Sequence, residues 1–194
     1  MSVRAPAAER GRRIPGEAGV WVFILGDMLV FAVLFGVLVA TQADDPALYE
    51  RSQNELHVGL GALNTAWLLT SSLAVALGVR AACAQDGGAA ARLFLAAVGC
   101  AIAFIAFKAV EYADLLGAGH GARENDFFQY FYCATGLHLL HVAIGIGVLG
   151  AAIRLVRRPP LSSRDLGAVE SCTSYWHMVD LLWIVLFALL YLLG

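Results

Sequence analysis

Five stretches of the chain are almost free of charge: residues 18–40, 58–82, 93–116, 127–153 and 168–193. Each is near the roughly 20 apolar residues that a helix needs to cross a bilayer. The stretches between them, 41–57, 83–92, 117–126 and 154–167, are short and polar. Strands are excluded for the spans, because an open strand would leave its backbone groups unpaired in hydrocarbon. The pattern predicts an all-α, polytopic membrane protein, a five-helix bundle over residues 18–194. A polar, arginine-bearing segment, 1–17, precedes it, and Pro15-Gly16 breaks the chain before the first span.

Composition agrees with this. Of 194 residues 60% are hydrophobic and only 14% charged, with a mean hydropathy of +0.72, against about 25% charged in soluble domains. The net charge of -2 gives no reason to expect nucleic acid as a partner. The distribution of arginine is more informative. With the N-terminus inside, the inner segments hold Arg4, Arg10, Arg12, Arg13, Arg80, Arg92, Arg154, Arg157, Arg158 and Arg164, and the outer ones only Arg51 and Arg123. That bias places the N-terminus in the cytoplasm and the C-terminus outside. The first apolar run is too long for a signal peptide. Cys83, Cys100, Cys133 and Cys172 form no Cys-x-x-Cys and read as buried thiols. Trp21, Tyr175, Trp176 and Tyr191 read as interfacial anchors.

The ionisable groups within the spans are the candidate functional residues, since such groups are costly in lipid and mark function or assembly. Depth along each helix sorts them into two layers. An outer layer holds Asn64, Lys108 and Glu111. A central layer holds Asp27, His138, His141, His177 and Asp180. Lys108 and Glu111, and likewise His177 and Asp180, stand three residues apart and so share a helical face. Three readings follow. The groups are buried pairs that tie helices together, with Asp27 and His141 as potential neighbours of His177 and Asp180. Alternatively Asp27, Lys108 and Glu111 form a path for protons or ions. As a third possibility His138, His141 and His177 supply imidazoles to a metal or haem. No nucleophile-and-base arrangement, phosphate loop or carboxylate pair suggests catalysis.

Several motifs occur together in one order: Phe23-Ile24-Leu25-Gly26-Asp27-Met28, Leu63-Asn64-Thr65, Lys108-Ala109-Val110-Glu111-Tyr112, Thr135-Gly136-Leu137-His138-Leu139-Leu140-His141-Val142, and Glu170 followed by Tyr175-Trp176-His177-Met178-Val179-Asp180. In this order they resemble subunit III of the haem-copper oxidases from Pro15 to Gly194. The sequence departs from that pattern at Asp27, where the family usually has glutamate, and at Lys108, where it usually has glutamine. The resemblance is to the short, five-helix form. Pro15-Gly16-Glu17, Trp21-Val22-Phe23-Ile24 and Asp126-Phe127-Phe128 resemble the NorE-type proteins associated with nitric oxide reductase.

The resemblance implies a non-catalytic accessory subunit in a bacterial inner membrane. It would bind no redox cofactor itself, hold phospholipid, and pack against the catalytic, subunit I-like chain of an oxidase or a nitric oxide reductase. It also implies that Asp27, Asn64, Lys108, Glu111, His138, His141, Glu170, Trp176, His177 and Asp180 are a structural signature, with no catalytic or metal-binding role.

Overall fold

The computed structural model of the protein describes residues 18–158 and 160–193; the segment 1–17 lies outside them. The elements are α1 (Ala18–Asp44), α2 (Pro46–Gln53), α3 (Val58–Cys83), α4 (Gly87–Gly117), α5 (Asp126–Val156) and α6 (Ser163–Phe187). A π-helical turn, Ala188–Leu192, continues α6. No strand occurs among the described residues. Five helices are long and apolar enough to cross a membrane, and they cover the five predicted spans to within one residue.

Polar residues set where the helices begin. Asp45, Asp86 and Asn125 accept hydrogen bonds from backbone N–H groups of the first turns of α2, α4 and α5. Ser162 and Asp165 form a reciprocal capping box on α6, which satisfies N–H groups that have no partner within the helix. The spans therefore run past their apolar stretches into the polar connections. α2 corrects the reading of 41–57 as plain connection. Asp45 caps it, Pro46 opens it, and it buries Tyr49, Ser52 and Gln53.

α3, α4, α5 and α6 form an antiparallel bundle, and α1 rests outside it against α5 and α6. Close approach depends on missing side chains. A Cβ on Gly145 would lie 2.7 Å from the Trp176 ring, one on Gly78 2.5 Å from Phe94, and one on Gly87 2.1 Å from the Val156 carbonyl oxygen. The core at mid-bundle is aromatic, with Phe104 edge-on to Trp183 at 4.7 Å between ring centroids. α1 stands off near its start, leaving an apolar groove of about 370 Å³ against Ile144, Val148, Cys172 and Tyr175.

Alternation of direction puts the α3–α4 turn and the α5–α6 loop on one face, with Arg80, Arg92, Arg154, Arg157, Arg158 and Arg164. The opposite face carries α2, the α4–α5 loop and the π turn, with Arg51 and Arg123. The thiols are free, as expected. None is fully buried, which corrects the expectation: Cys83 and Cys133 are exposed on α3 and α5, and Cys100 and Cys172 are partly exposed. Tyr175, Trp176 and Tyr191 are likewise inside the bundle instead of anchoring its rim.

Candidate functional site: buried polar pairs within the bundle

The outer layer is organised by Lys108. Its Nζ lies 2.6 Å from Glu111 Oε2 and 2.7 Å from Tyr191 Oη, and Tyr191 Oη lies 2.7 Å from Glu111 Oε1. The phenol accepts from the ammonium, so its own proton goes to the carboxylate and the three groups close a ring of hydrogen bonds. Lys108 and Glu111 are wholly buried. The ring faces of Phe131 and Trp183 stand 4.6 and 5.1 Å from Nζ, where their quadrupoles attract a cation. Next to them Thr135 gives its proton to the Phe131 carbonyl, so the Tyr112 phenol donates to Thr135 Oγ1 at 2.6 Å. The predicted Lys108–Glu111 pair is present. Its third member, Tyr191, arrives from 80 residues away and had no sequence signal at a helical spacing.

In the central layer Asp27 meets His141. His141 Nδ1 lies 2.7 Å from the Leu137 carbonyl oxygen, which can only accept, so Nδ1 carries a proton. Nε2 lies 3.0 and 2.9 Å from the two carboxylate oxygens of Asp27. One shared proton must therefore lie between Nε2 and the carboxylate, and the pair is neutral as a whole wherever that proton sits. A neutral pair is far less costly in lipid than two separate charges. This bond, with the contact of Phe23 on Tyr175, holds α1 to the bundle.

His177 and Asp180 sit apart from that pair, which corrects the expected grouping. His177 Nδ1 makes its hydrogen bond to Ser72 Oγ of α3 at 2.8 Å. Asp180 Oδ2 stands 3.9 Å away, beyond hydrogen-bond reach. Both Asp180 oxygens are buried with no hydrogen-bond partner among the described residues. Trp183, one turn on, donates to Thr65 Oγ1 at 3.0 Å, a second tie between α6 and α3.

His138 makes no interhelical hydrogen bond either. Its ring is wholly buried, edge-on to Phe104 and 5.3 Å from Trp183, with neither nitrogen bonded among the described residues. It stands three residues from His141 yet turns into the aromatic core while His141 turns toward α1. Asn64 is also fully buried with both amide atoms unpartnered, and so is the indole N–H of Trp176. Glu170 is half-buried, and its backbone carbonyl accepts from Thr173 and Ser174.

Among the described residues no three histidine, cysteine, aspartate or glutamate side chains converge as a metal cage would require. His138, His141 and His177 point into three different surroundings and do not form one site. Asp27 on one side and Lys108 with Glu111 on the other belong to two separate hydrogen-bonded clusters.

Comparison with known proteins agrees with this geometry. The family model for cytochrome c oxidase subunit III matches residues 11–194. Cytochrome c oxidase subunit 3 of Synechocystis sp. is 32% identical over 176 residues, covering 90% of this chain and 74% of the relative. The subunit of the same name from Thermostichus vulcanus is 31% identical over 179 residues, covering 90% and 86%. The cytochrome bo(3) ubiquinol oxidase subunit 3 of Pseudomonas putida is 28% identical over 185 residues, covering 91% and 84%. A chain of five spanning helices, tied by buried polar pairs and matched over almost its whole length, belongs to the cytochrome c oxidase subunit III family.

Proposed function

We propose that this protein is a cofactor-free accessory subunit of NorE type, packing against the catalytic chain of a nitric oxide reductase in a bacterial inner membrane. Family membership supports the accessory role, and the motifs at Trp21 and at Asp126-Phe127-Phe128 favour the NorE type. The observation that supports a structural role is closure: the Lys108–Glu111–Tyr191 ring and the Asp27–His141 pair bond to one another inside the bundle. The chain thus stabilises a partner that holds the haems and metal. The arginine-rich face lies in the cytoplasm. The apolar groove beside α1 accommodates a phospholipid acyl chain.

A terminal oxidase is the second reading, favoured by relatives named as oxidase subunits. Affinity purification of the tagged protein from mild detergent, followed by metal analysis, separates the two. A co-purifying catalytic subunit with haem and non-haem iron supports the reductase, and haem with copper supports the oxidase. A preparation free of any haem-bearing partner would remove both readings.

A further inference from the structure

We infer that the seam between α3 and α6, marked by His177 and Ser72, is the surface that docks a transmembrane helix of the catalytic subunit, which presents a hydrogen-bonding group opposite His177. The inference rests on the accessory-subunit reading and specifies which face of this chain carries it.

His177 lies fourteen residues from Ser163 and fifteen from Leu192, the ends of its span, so it sits at mid-membrane. Its side chain is 42% exposed. Ser72 takes up Nδ1, and no described residue bonds Nε2, which turns outward. Hydrocarbon offers nothing to that nitrogen, and an ionisable group at the bilayer centre ordinarily faces protein or water.

Other outward faces differ. On α1 the exposed side chains include Val22, Leu25, Leu29 and Val33, and on α4 Leu95, Ile102 and Val110, all suited to lipid tails. On the seam, Leu69 of α3 and Leu181 and Ile184 of α6 are also exposed, and their helical spacing puts them on the faces of Ser72 and His177. They frame the polar group with apolar side chains, as in an interface with a polar centre.

A second feature lies on the same face. Glu170 is two helical turns before His177, so both point the same way. Its carboxylate is half-buried and has no ion-pair partner among the described residues. The complementary helix therefore presents a polar group at mid-membrane and a cationic or N–H donor two turns nearer the arginine-rich face. A second copy of this chain would set carboxylate against carboxylate in a parallel pairing and fits less well.

The test uses the assembled complex in native membranes. A photo-crosslinking residue, benzoylphenylalanine, replaces Leu69 or Leu181, with Ile102 and Leu29 as control positions. Crosslinks to the catalytic subunit from Leu69 and Leu181, and none from Ile102 or Leu29, are expected. With His177→Leu, recovery of the catalytic subunit should fall about 3- to 30-fold, the range that one interhelical hydrogen bond spans. His177→Gln should keep it within about twofold of wild type, because an amide can still make that bond.

Crosslinks to the catalytic subunit only from Ile102 or Leu29 would overturn the inference and leave the accessory role standing. So would crosslinks from the seam only to lipid or to a second copy, or equal recovery with His177→Leu and wild type. Purification without any catalytic subunit would end the accessory reading, and the seam assignment with it.

Discussion

The Lys108–Glu111–Tyr191 ring makes a quantitative demand that a double-mutant cycle can check. Two opposite charges, both fully buried, share three hydrogen bonds of 2.6 to 2.7 Å. Glu111→Leu leaves an ammonium in a site walled by Phe131 and Trp183, and Lys108→Met leaves a carboxylate held by one phenol. Breaking a buried pair from one side costs about 3–5 kcal/mol. The double variant Lys108→Met/Glu111→Leu leaves no charge behind, only an unpaired Tyr191 hydroxyl worth about 1–3 kcal/mol, partly offset by new apolar contact. The two single losses sum to about 6–10 kcal/mol and the double to about 2, so the coupling should be at least about 4 kcal/mol. Tyr191→Phe added to the double should recover most of the remaining loss, since it removes the orphaned hydroxyl. The assay is equilibrium unfolding of the purified protein from dodecyl maltoside micelles by dodecyl sulfate, followed by tryptophan fluorescence. Trp183, 5.1 Å from Nζ, is one of the four tryptophans that contribute to the signal. If the double variant loses as much as both singles together, the ring is not a coupled unit and the closure reasoning fails.

Three further outcomes are expected. Asp27→Ala strands the buried His141 Nε2 and should cost about 1–3 kcal/mol with faster hydrogen exchange in α1, whereas Asp27→Asn, whose amide can donate to that nitrogen, should cost less; equal losses would contradict the shared-proton geometry. Gly87→Ala should cost about 3 kcal/mol, because the new methyl meets backbone at 2.1 Å, while Gly99→Ala, which meets nothing within 4 Å, should be neutral or gain up to about 1 kcal/mol; unfolding of both against wild type decides it. Outside the membrane, burial holds the Tyr49 phenol above its ordinary 10.0, with the Thr41 hydrogen bond acting the other way. The folded protein thus binds that proton more tightly, so its contribution is complete below pH 10 and is lost as pH rises through the raised value. Ultraviolet titration of wild type against Tyr49→Phe should show one phenol ionising late, together with release of α2; a phenol titrating at 10 or below would refute it.

What the sequence could show follows from the range of each interaction. The spans were readable because lipid demands long apolar runs, and Lys108–Glu111 because a pair three apart on a helix is local. Depth matching placed Asp27 and His141 in one layer, but it attached them to His177 and Asp180, since depth says nothing about rotation around a helix axis. Rotation is why His138 faces Phe104 and Trp183 while His141 faces α1, and why Ser72, and not Asp180, holds the His177 ring. Tyr191 was unreadable as a ligand of Lys108, because only the assembly of the whole bundle brings the π turn after α6 to α4. α2 was overlooked although Asp45-Pro46 is a start signal, because eight residues carry little periodicity.

One small feature bears on how the protein is made. The Leu193 carbonyl accepts hydrogen bonds from Gln42 at 2.7 Å and from Gln53 at 2.9 Å, so the end of the first span and α2 are fastened by a residue 151 and 140 positions downstream. A ribosome adding roughly 5–20 residues per second needs about 8–30 s to supply it. During that interval α1 is already in the bilayer without Tyr175, His141 or Leu193 to hold it. The first helix must therefore wait, attended by lipid or by an insertion factor, until the last helices form the surface against which it rests.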